Sequence, residues 1–305
     1  MEYISAKEFQ LHNTCVTLGK FDGIHLGHRR LLAELADKKK NGWKSVVFTF
    51  DFHPGMLLAG KEQQVIYTRE EKQAILAKLG VDVLVAYPFS KETAAIPAED
   101  FISEILVGQL DMRWIAVGKD NRFGHNRRGD ATMLSQYAAQ YEYGVSAVDK
   151  VRLDGDIVSS TRIREELLDG KIEQVNRLLG APYHVRGSVE HGRRIGHTIG
   201  VPTLNLIPPA EKLLPPRGVY ATKTWIDGRE YLGMTNIGVR PTVGEQEVPW
   251  VETNLFDYDQ ECYGAEVCTD FYHYLRAEQR FANVEQLKQQ LMQDREAILH
   301  YFASV

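Results

Sequence analysis

The first residues in this chain whose types and spacing could do chemistry are two histidines among three glycines, in Gly19-Lys20-Phe21-Asp22-Gly23-Ile24-His25-Leu26-Gly27-His28. The run before them, Cys15-Val16-Thr17-Leu18, is short and apolar. The run after them, Arg29 to Ala36, repeats apolar residues at helical spacing. Strand, loop and helix are therefore expected in that order. A glycine-rich loop that opens a helix presents unpaired backbone N–H groups and the positive end of the helix dipole, and both favour a phosphate. His25 and His28 would add donors, and Gly19, Phe21, Asp22, Gly23 and Gly27 would shape the cradle. A tight turn whose histidines cap the helix uses the same residue types, so this stretch alone leaves both readings open.

Other constellations share that polarity. Asp51-Phe52-His53-Pro54 follows the apolar run Ser45 to Phe50, which makes Asp51 and His53 candidates at a strand end. Gly118-Lys119-Asp120-Asn121-Arg122-Phe123-Gly124 runs into a basic turn in which Arg122, His125, Arg127 and Arg128 could clamp phosphates. Ser159-Ser160-Thr161-Arg162-Ile163-Arg164 places hydroxyls at a helix start; capping accounts for Ser160 or Thr161 but not for Arg162 and Arg164. Later, a glycine-broken basic loop from His191 to Gly200 leads into Pro202-Thr203-Leu204-Asn205. A Thr hydroxyl and an Asn carbonyl are hard oxygen ligands of the kind Mg²⁺ accepts.

The elements that must position these residues change character along the chain. Through the first half, apolar runs at 45–50, 81–86, 114–117 and 145–148 alternate with helical patterns. Thr68 to Glu71 has capping-box spacing, Pro97 suits a helix start that runs to Leu110, and Asp130 can cap a helix to Tyr143. This alternation is that of a parallel sheet, whose ligands collect at the carboxyl ends of the strands. Beyond Gly180-Ala181-Pro182 the pattern becomes short strands and turns, at 183–189, 201–206, 218–225, 230–234 and 266–271, with hairpin chemistry at Asp227-Gly228. A small antiparallel barrel is expected. A last amphipathic helix, 284–302, should be capped by Asn283 and face the core with Leu287, Leu291, Ile298 and Phe302. The expected domains are 1–182 and 183–305.

At 305 residues, 44% hydrophobic and 25% charged, with a formal charge of -5, the chain has the composition of a globular protein with no global attraction for nucleic acid or anionic membrane. It carries no apolar signal core or long uncharged apolar run. Three cysteines without C-x-x-C spacing suggest neither a disulfide framework nor a zinc knuckle, so reduced thiols and a cytoplasmic location are expected.

Taken together and in order, these motifs resemble the bacterial bifunctional riboflavin kinase/FMN adenylyltransferases, or FAD synthetases. The match runs through Gly-x-Phe-Asp-Gly-x-His-x-Gly-His at 19–28, Gly-x-Asp-x-Arg-Phe-Gly at 118–124 and Ser-Ser-Thr-Arg-Ile-Arg at 159–164. It continues with Gly-x-Pro-Thr-x-Asn at 200–205, Gly-Val-Tyr-Ala at 218–221, Asn-Ile-Gly-x-Arg-Pro-Thr at 236–242, Glu252 within Val-Glu-Thr-Asn-Leu-Phe-Asp, and Leu-Arg-x-Glu-x-Arg-Phe at 275–281. It covers essentially the whole chain. Lys20, Asp51-Phe52, Asn121 and Leu204 depart from the family pattern, and Leu204 is expected to tighten the nucleotide pocket.

The resemblance implies an α/β fold: an N-terminal Rossmann-like nucleotidyltransferase domain, then a small antiparallel β-barrel riboflavin kinase domain with a C-terminal helix. It implies phosphorylation of riboflavin by ATP to FMN, then adenylylation of FMN to FAD and pyrophosphate. Glu252 would be the kinase base, Thr203 and Asn205 would hold Mg²⁺, and Gly196, Thr198 and Gly200 would cover the ATP phosphates. His25, His28, Ser160, Thr161, Arg162 and Arg164 would serve adenylyl transfer; Asp51, His53, Asp120, Arg122 and Arg240 would contact flavin. Riboflavin, FMN and ATP are then the partners, with no nucleic acid or membrane, and the chain is expected as a monomer or weak homo-oligomer. Two alternatives are a nucleotidyltransferase for another phosphorylated acceptor with a regulatory barrel, and a non-catalytic flavin-binding protein.

Overall fold

The computed structural model describes every residue except 52–63, 191–202, 242–246 and 259. It forms two compact units, Met1–Ser160 and Thr161–Val305. In the first, β1 (Glu2–Ile4), β2 (Thr14–Leu18), β3 (Lys44–Phe50), β4 (Val83–Tyr87), β5 (Met112–Gly118) and β6 (Gly144–Val148) make one sheet in the order β1-β4-β3-β2-β5-β6. Every pairing is parallel. Parallel strands covered on both faces read as continuous apolar runs, which is why β2 and β4 are buried at every residue.

Neighbouring residues of these strands serve opposite faces. Val16, Val46, Val85 and Ile115 join one buried cluster with Phe101, Ile102 and Ile105. Cys15, Val47, Leu84 and Ala116 join the other, with Leu31, Leu32 and Leu35 of α1 (Leu26–Lys38) and Leu76 of α2 (Arg69–Lys78). The capping box read at Thr68 is present, with Glu71 N donating to Thr68 Oγ1 and Thr68 N to Glu71 Oε2. The helix expected from Pro97 to Leu110 is instead one α-turn, Ala98–Asp100, followed by α3 (Phe101–Gln109) wound as a π-helix. Its wider turn lets Phe101, Ile102, Ile105 and Leu106 all reach the core. Asp130 caps α4 (Ala131–Tyr141) by accepting from Met133 N at 2.9 Å. Strand order reverses between β2 and β5, so the chain after each leaves the sheet at its topological switch point, where open α/β sheets bind ligands.

A short two-stranded ribbon, β7 (Arg152–Leu153) and β8 (Asp156–Ile157), precedes α5 (Ser160–Leu168). The packing division falls at Ser160, ahead of the 182–184 junction expected from composition. The next helix, α6 (Ile172–Leu179), explains this: Asn176 Nδ2 donates to Phe271 O, and its Oδ1 accepts from Tyr183 N. Tyr183 opens β9 (Tyr183–Ser188) and Phe271 lies on β14 (Glu266–Arg276), so the helical segment packs with the strands that follow it.

Those strands are antiparallel. With β10 (Thr203–Leu206), β11 (Gly218–Ile226), β12 (Arg229–Pro241) and β13 (Glu247–Leu255), the order is β10-β13-β12-β11-β14-β9. An antiparallel bridge between Glu190 and Asn205 brings the two edges of the sheet together, giving the expected barrel. β13, which carries Glu252, was not among the strands expected from the sequence. The β11–β12 turn places Asp227 at φ 48° and Gly228 at φ 77°, the left-handed pair that a type I′ hairpin requires. Inside the barrel, Thr222, Thr235 and Thr253 are buried and joined hydroxyl to hydroxyl at 2.7 and 2.8 Å, so none of these three hydroxyls is stranded.

The last helix, α7 (Val284–Ser304), is capped by Asn283 Oδ1, which accepts from Gln286 N. Ile298 is fully buried, and Leu291 and Phe302 pack beside it against Val219, Ala221 and Met234. Leu287 is only half-buried. The helix also buries a carboxylate: Asp294, 3% exposed, takes Nε and Nη2 of Arg276 at 2.9 and 2.6 Å and Nε2 of Gln290 at 2.9 Å. Removing one partner of such a pair strands the other charge, at a cost of about 3–5 kcal/mol. Asp294→Ala should lower the unfolding free energy of the barrel by that order in denaturant titrations, and Arg276→Met added to Asp294→Leu should recover most of it. A loss below about 1 kcal/mol for the single variant would mean that the pair contributes no more than a surface bridge.

Candidate functional site

The loop between β2 and α1 is held in an uncommon backbone conformation. Phe21 and Ile24 sit at φ 49° and 38°, in the left-handed region, and both side chains are buried, which fixes the strained turn. A Cβ at Gly19 would lie 3.1 Å from the Phe21 ring and one at Gly27 3.0 Å from His25 Cε1, so a larger residue at either position would press on the ring beside it. His25 is the N-cap of α1. Its Nδ1 accepts from Gly27 N at 3.1 Å and His28 N at 3.4 Å. An accepting Nδ1 carries no proton, so these hydrogen bonds assign His25 the tautomer protonated on Nε2. The His25 and His28 rings stack with centroids 3.8 Å apart, and His28 stacks on Phe21 at 4.6 Å.

Burial sets the charge of both rings. It pulls the His25 pKa down to about 4, with the Asp22 carboxylate acting the other way. His28 is pushed well below the ordinary histidine value by burial first, then by His25 and Lys72. Both imidazoles are therefore neutral near pH 7. His28 Nδ1 has no hydrogen-bond partner among the described residues.

Three neighbours tie this loop down. Asp22 Oδ1 accepts from Ile66 N at 2.9 Å, and Asp22 O accepts from Ser160 Oγ at 2.8 Å, so the first motif and the Ser-Ser-Thr-Arg motif meet. Lys72, on α2, donates to Lys20 O at 3.0 Å, and burial lowers its pKa. Sequence reading missed Lys72, although its place in the first turn after the Thr68 capping box was visible. Ser160 and Arg164 are four residues apart on α5 and share a helix face, whereas Arg162 is turned away and lies 3.9 Å from Glu166. Thr161 follows Ser160 in the first turn.

In the 118–130 turn, His125, Arg127 and Arg128 are exposed, and several of the other charged residues are paired. Asp120 pairs with Lys150 at 2.9 Å, which holds its carboxyl below the usual value; Lys119 pairs with Asp149 at 2.8 Å, and Arg122 lies 3.7 Å from Asp130. Asn121 donates from Nδ2 to Leu18 O at 3.2 Å, across the switch point. Asp51 ties the ends of β3 and β4 by accepting from Phe89 N at 2.9 Å. His53 lies outside the described residues.

In the barrel, strand register makes the second constellation. Asn205 of β10 faces Glu252 of β13, which in turn faces Asn236 of β12. Thr203 lies two residues before Asn205, on the same face, and its Oγ1 donates to Glu252 Oε1 at 2.7 Å. Asn205 is 3% exposed, and its Oδ1 accepts from Trp250 Nε1 at 2.9 Å. Alternation sends Leu204, Val251 and Thr253 the other way, into the barrel, so Leu204 belongs to the core and not to the face of Thr203 and Asn205. Glu278, also unforeseen, accepts from Asn236 Nδ2 at 3.2 Å. Gly196, Thr198 and Gly200 lie outside the described residues, as does the side chain of Arg240 on β12.

Two constellations, one at a parallel-sheet switch point and one on a barrel face, are matched by two family models. Residues 7–162 match FAD synthetase and residues 179–302 match riboflavin kinase. The bifunctional riboflavin kinase/FMN adenylyltransferase of Listeria monocytogenes is 35% identical, over 99% of this chain and 96% of its own length; that of Escherichia coli is 36% identical, over 94% and 93%. The chain belongs to the bifunctional riboflavin kinase/FMN adenylyltransferase family. A crystal structure of a Streptococcus pneumoniae protein, described as a macrolide-efflux protein, has 31% identity and a TM-score of 0.88, covering 98% of this chain and 99% of that one. Among the described residues no helix is long and apolar enough to cross a membrane. The FAD synthetase match ends just past the packing division at Ser160, and the riboflavin kinase match begins on the last residue of α6.

The neutral His25 carries a pH consequence. Its folded pKa, about 4, lies below the ordinary 6.5, so between these values the unfolded chain binds more protons and stability falls as pH falls. His25→Asn keeps a side-chain acceptor for the helix cap but cannot titrate. Denaturant titrations from pH 4 to 7 should show a shallower acid loss in His25→Asn than in the wild type; an equal slope would mean that His25 is not the buried neutral group.

Proposed function

We propose that this chain converts riboflavin to FMN on the barrel and FMN to FAD on the parallel-sheet domain, each step consuming one ATP. Family membership sets the two reactions, and the observation that carries the residue assignment is the Thr203–Glu252 hydrogen bond beside Asn205. In the kinase reaction the ribityl 5′-hydroxyl attacks the γ-phosphorus of ATP, and Glu252 takes its proton through the carboxylate oxygen that Thr203 leaves free. A positioned base of this kind is worth about 10²- to 10⁴-fold. Thr203 points its proton at Glu252, which leaves the hydroxyl lone pairs for a cation, and Asn205 adds a carbonyl oxygen on the same face. These oxygens fit Mg²⁺, which when bound would neutralise charge on the ATP phosphates. Gly196, Thr198 and Gly200 are assigned to the phosphates, and Arg240 to flavin.

In the second reaction the FMN phosphate attacks the α-phosphorus of ATP and pyrophosphate leaves. His25 and His28, neutral and stacked at the start of α1, donate hydrogen bonds to the phosphates with the N–H groups of the loop 19–27. Ser160, Thr161, Arg162 and Arg164 extend the donor set, and Lys72 adds the positive charge that neutral histidines lack. Asp51, His53, Asp120 and Arg122 are assigned to the flavin side. We assign adenylyl transfer to residues 1–182 and kinase activity to 183–305. The three free thiols accord with a cytoplasmic enzyme.

A chromatographic time course with riboflavin, ATP and Mg²⁺ should show FMN rising and then giving way to FAD. Glu252→Gln should lose FMN formation by about 10²-fold or more while retaining its fold and FAD synthesis from supplied FMN. Near-normal FMN production would remove Glu252 from the role of base. His28→Ala should stop at FMN, with FAD formation down about 10²- to 10³-fold; continued FAD synthesis would refute its assignment.

A further inference from the structure

The barrel carries a third cluster of chemically able side chains, apart from Thr203, Asn205 and Glu252. On β14, Cys268 and Asp270 are two residues apart and so share a face of the strand. His184 of β9 is the residue directly opposite Asp270. One ligand atom from each lies within 4.8 Å of the others: Cys268 Sγ is 3.8 Å and His184 Nδ1 4.0 Å from Asp270 Oδ1. Around a tetrahedral zinc ion, with bonds of about 2.0–2.3 Å, neighbouring ligand atoms stand roughly 3.3–3.6 Å apart. The two separations from Asp270 exceed this by a few tenths of an ångström, and the widest allowed separation exceeds it by about 1 Å, so side-chain shifts of roughly half an ångström would close the set. His184 and Asp270 are largely shielded, with side chains 13% and 16% exposed.

The surroundings hold the cluster in place. Trp225 Nε1 donates to Asp270 Oδ2 at 3.0 Å, which leaves Oδ1 turned towards Cys268 and His184. Lys212 Nζ donates to the His184 backbone carbonyl at 2.8 Å and fixes that strand residue. An outer hydrogen bond on a ligating carboxylate is what orients it in metal sites. Lys223, opposite Asp270 on β11, is occupied by Glu230 at 2.9 Å.

We propose that His184, Cys268 and Asp270 form a zinc site that clips β9 to β14, distinct from the Mg²⁺ used in catalysis. The thiol, imidazole and carboxylate suit a borderline-soft divalent ion, whereas Mg²⁺ takes oxygen ligands. Binding replaces the Cys268 S–H bond by an S–Zn bond and releases that proton to solvent. The thiolate and carboxylate together neutralise Zn²⁺, and water fills the fourth position. Because the ion binds the folded barrel and bridges two of its strands, it stabilises the barrel.

The full-length protein, stripped with chelator and kept in excess Mg²⁺, would be titrated with Co²⁺ and separately with Zn²⁺. The expected result is one equivalent of Co²⁺ with a thiolate-to-cobalt charge-transfer band that Zn²⁺ abolishes. Zn²⁺ should release about one proton per ion and raise Tm by roughly 5 °C at a hundredfold excess over Kd. Cys268→Ser and His184→Gln should each remove the band and the shift, Cys262→Ser should keep both, and metal-free Cys268→Ser should retain wild-type riboflavin kinase turnover. No band in the wild type, or a band that survives Cys268→Ser or His184→Gln, would overturn the proposal. If Cys268→Ser does not fold, persistence of the band in His184→Gln decides it.

Discussion

The imidazole of His25 closes the start of α1, and the geometry of the first site depends on that contact. By accepting from Gly27 N and His28 N, it satisfies orphan donors of the first turn and fixes the plane on which the His28 ring stacks. The same burial that makes the cap firm removes the positive charge from both rings. A loop built this way holds its backbone donors and both rings in fixed directions in a poorly hydrated place, which is the preorganisation that electrostatic catalysis uses. The ammonium group nearest this loop in the described contacts is that of Lys72, held on Lys20 O at 3.0 Å.

The barrel solves its problem by register instead of by a cap. Antiparallel pairing sets Asn205, Glu252 and Asn236 in one cross-strand row, and the alternation of β10 adds Thr203 to the same face. A slip of one residue in β13 would turn Glu252 inward and bring Thr253 out. The buried threonine hydroxyls, closed on each other at 2.7 and 2.8 Å, are satisfied only in the observed register of β11, β12 and β13. The interior of the barrel thus supports the register on which the outer face relies.

Much of the fold was legible. The cap at Asn283, the Thr68 capping box, the Asp130 cap and the hairpin at Asp227-Gly228 are local, and each is present. Asp294 was not legible, because on an amphipathic helix a carboxylate reads as solvent-facing; it is buried only because Arg276, eighteen residues earlier, reaches it. The π-winding of α3 escaped because its apolar residues fit an α-helix equally well. The pairing of Lys119 with Asp149 and of Asp120 with Lys150 was not legible either, because the partners come from beyond the next helix and strand.

By itself, then, the sequence determined the two-domain order, the parallel and antiparallel character of the halves, and the motifs that identify the family, because these rest on periodicity and on short stretches. Tertiary structure decided that Ser160 Oγ meets Asp22 O, that Lys72 lies beside Lys20, and that the helices from Thr161 to Leu179 pack with the barrel. It also decided that Leu204 joins the core while Thr203 donates to Glu252. The physical reason is the same in each case. A residue's type fixes what it can donate, accept or bury, but its partner lies across the fold, and strand order and burial, neither of them local, choose that partner.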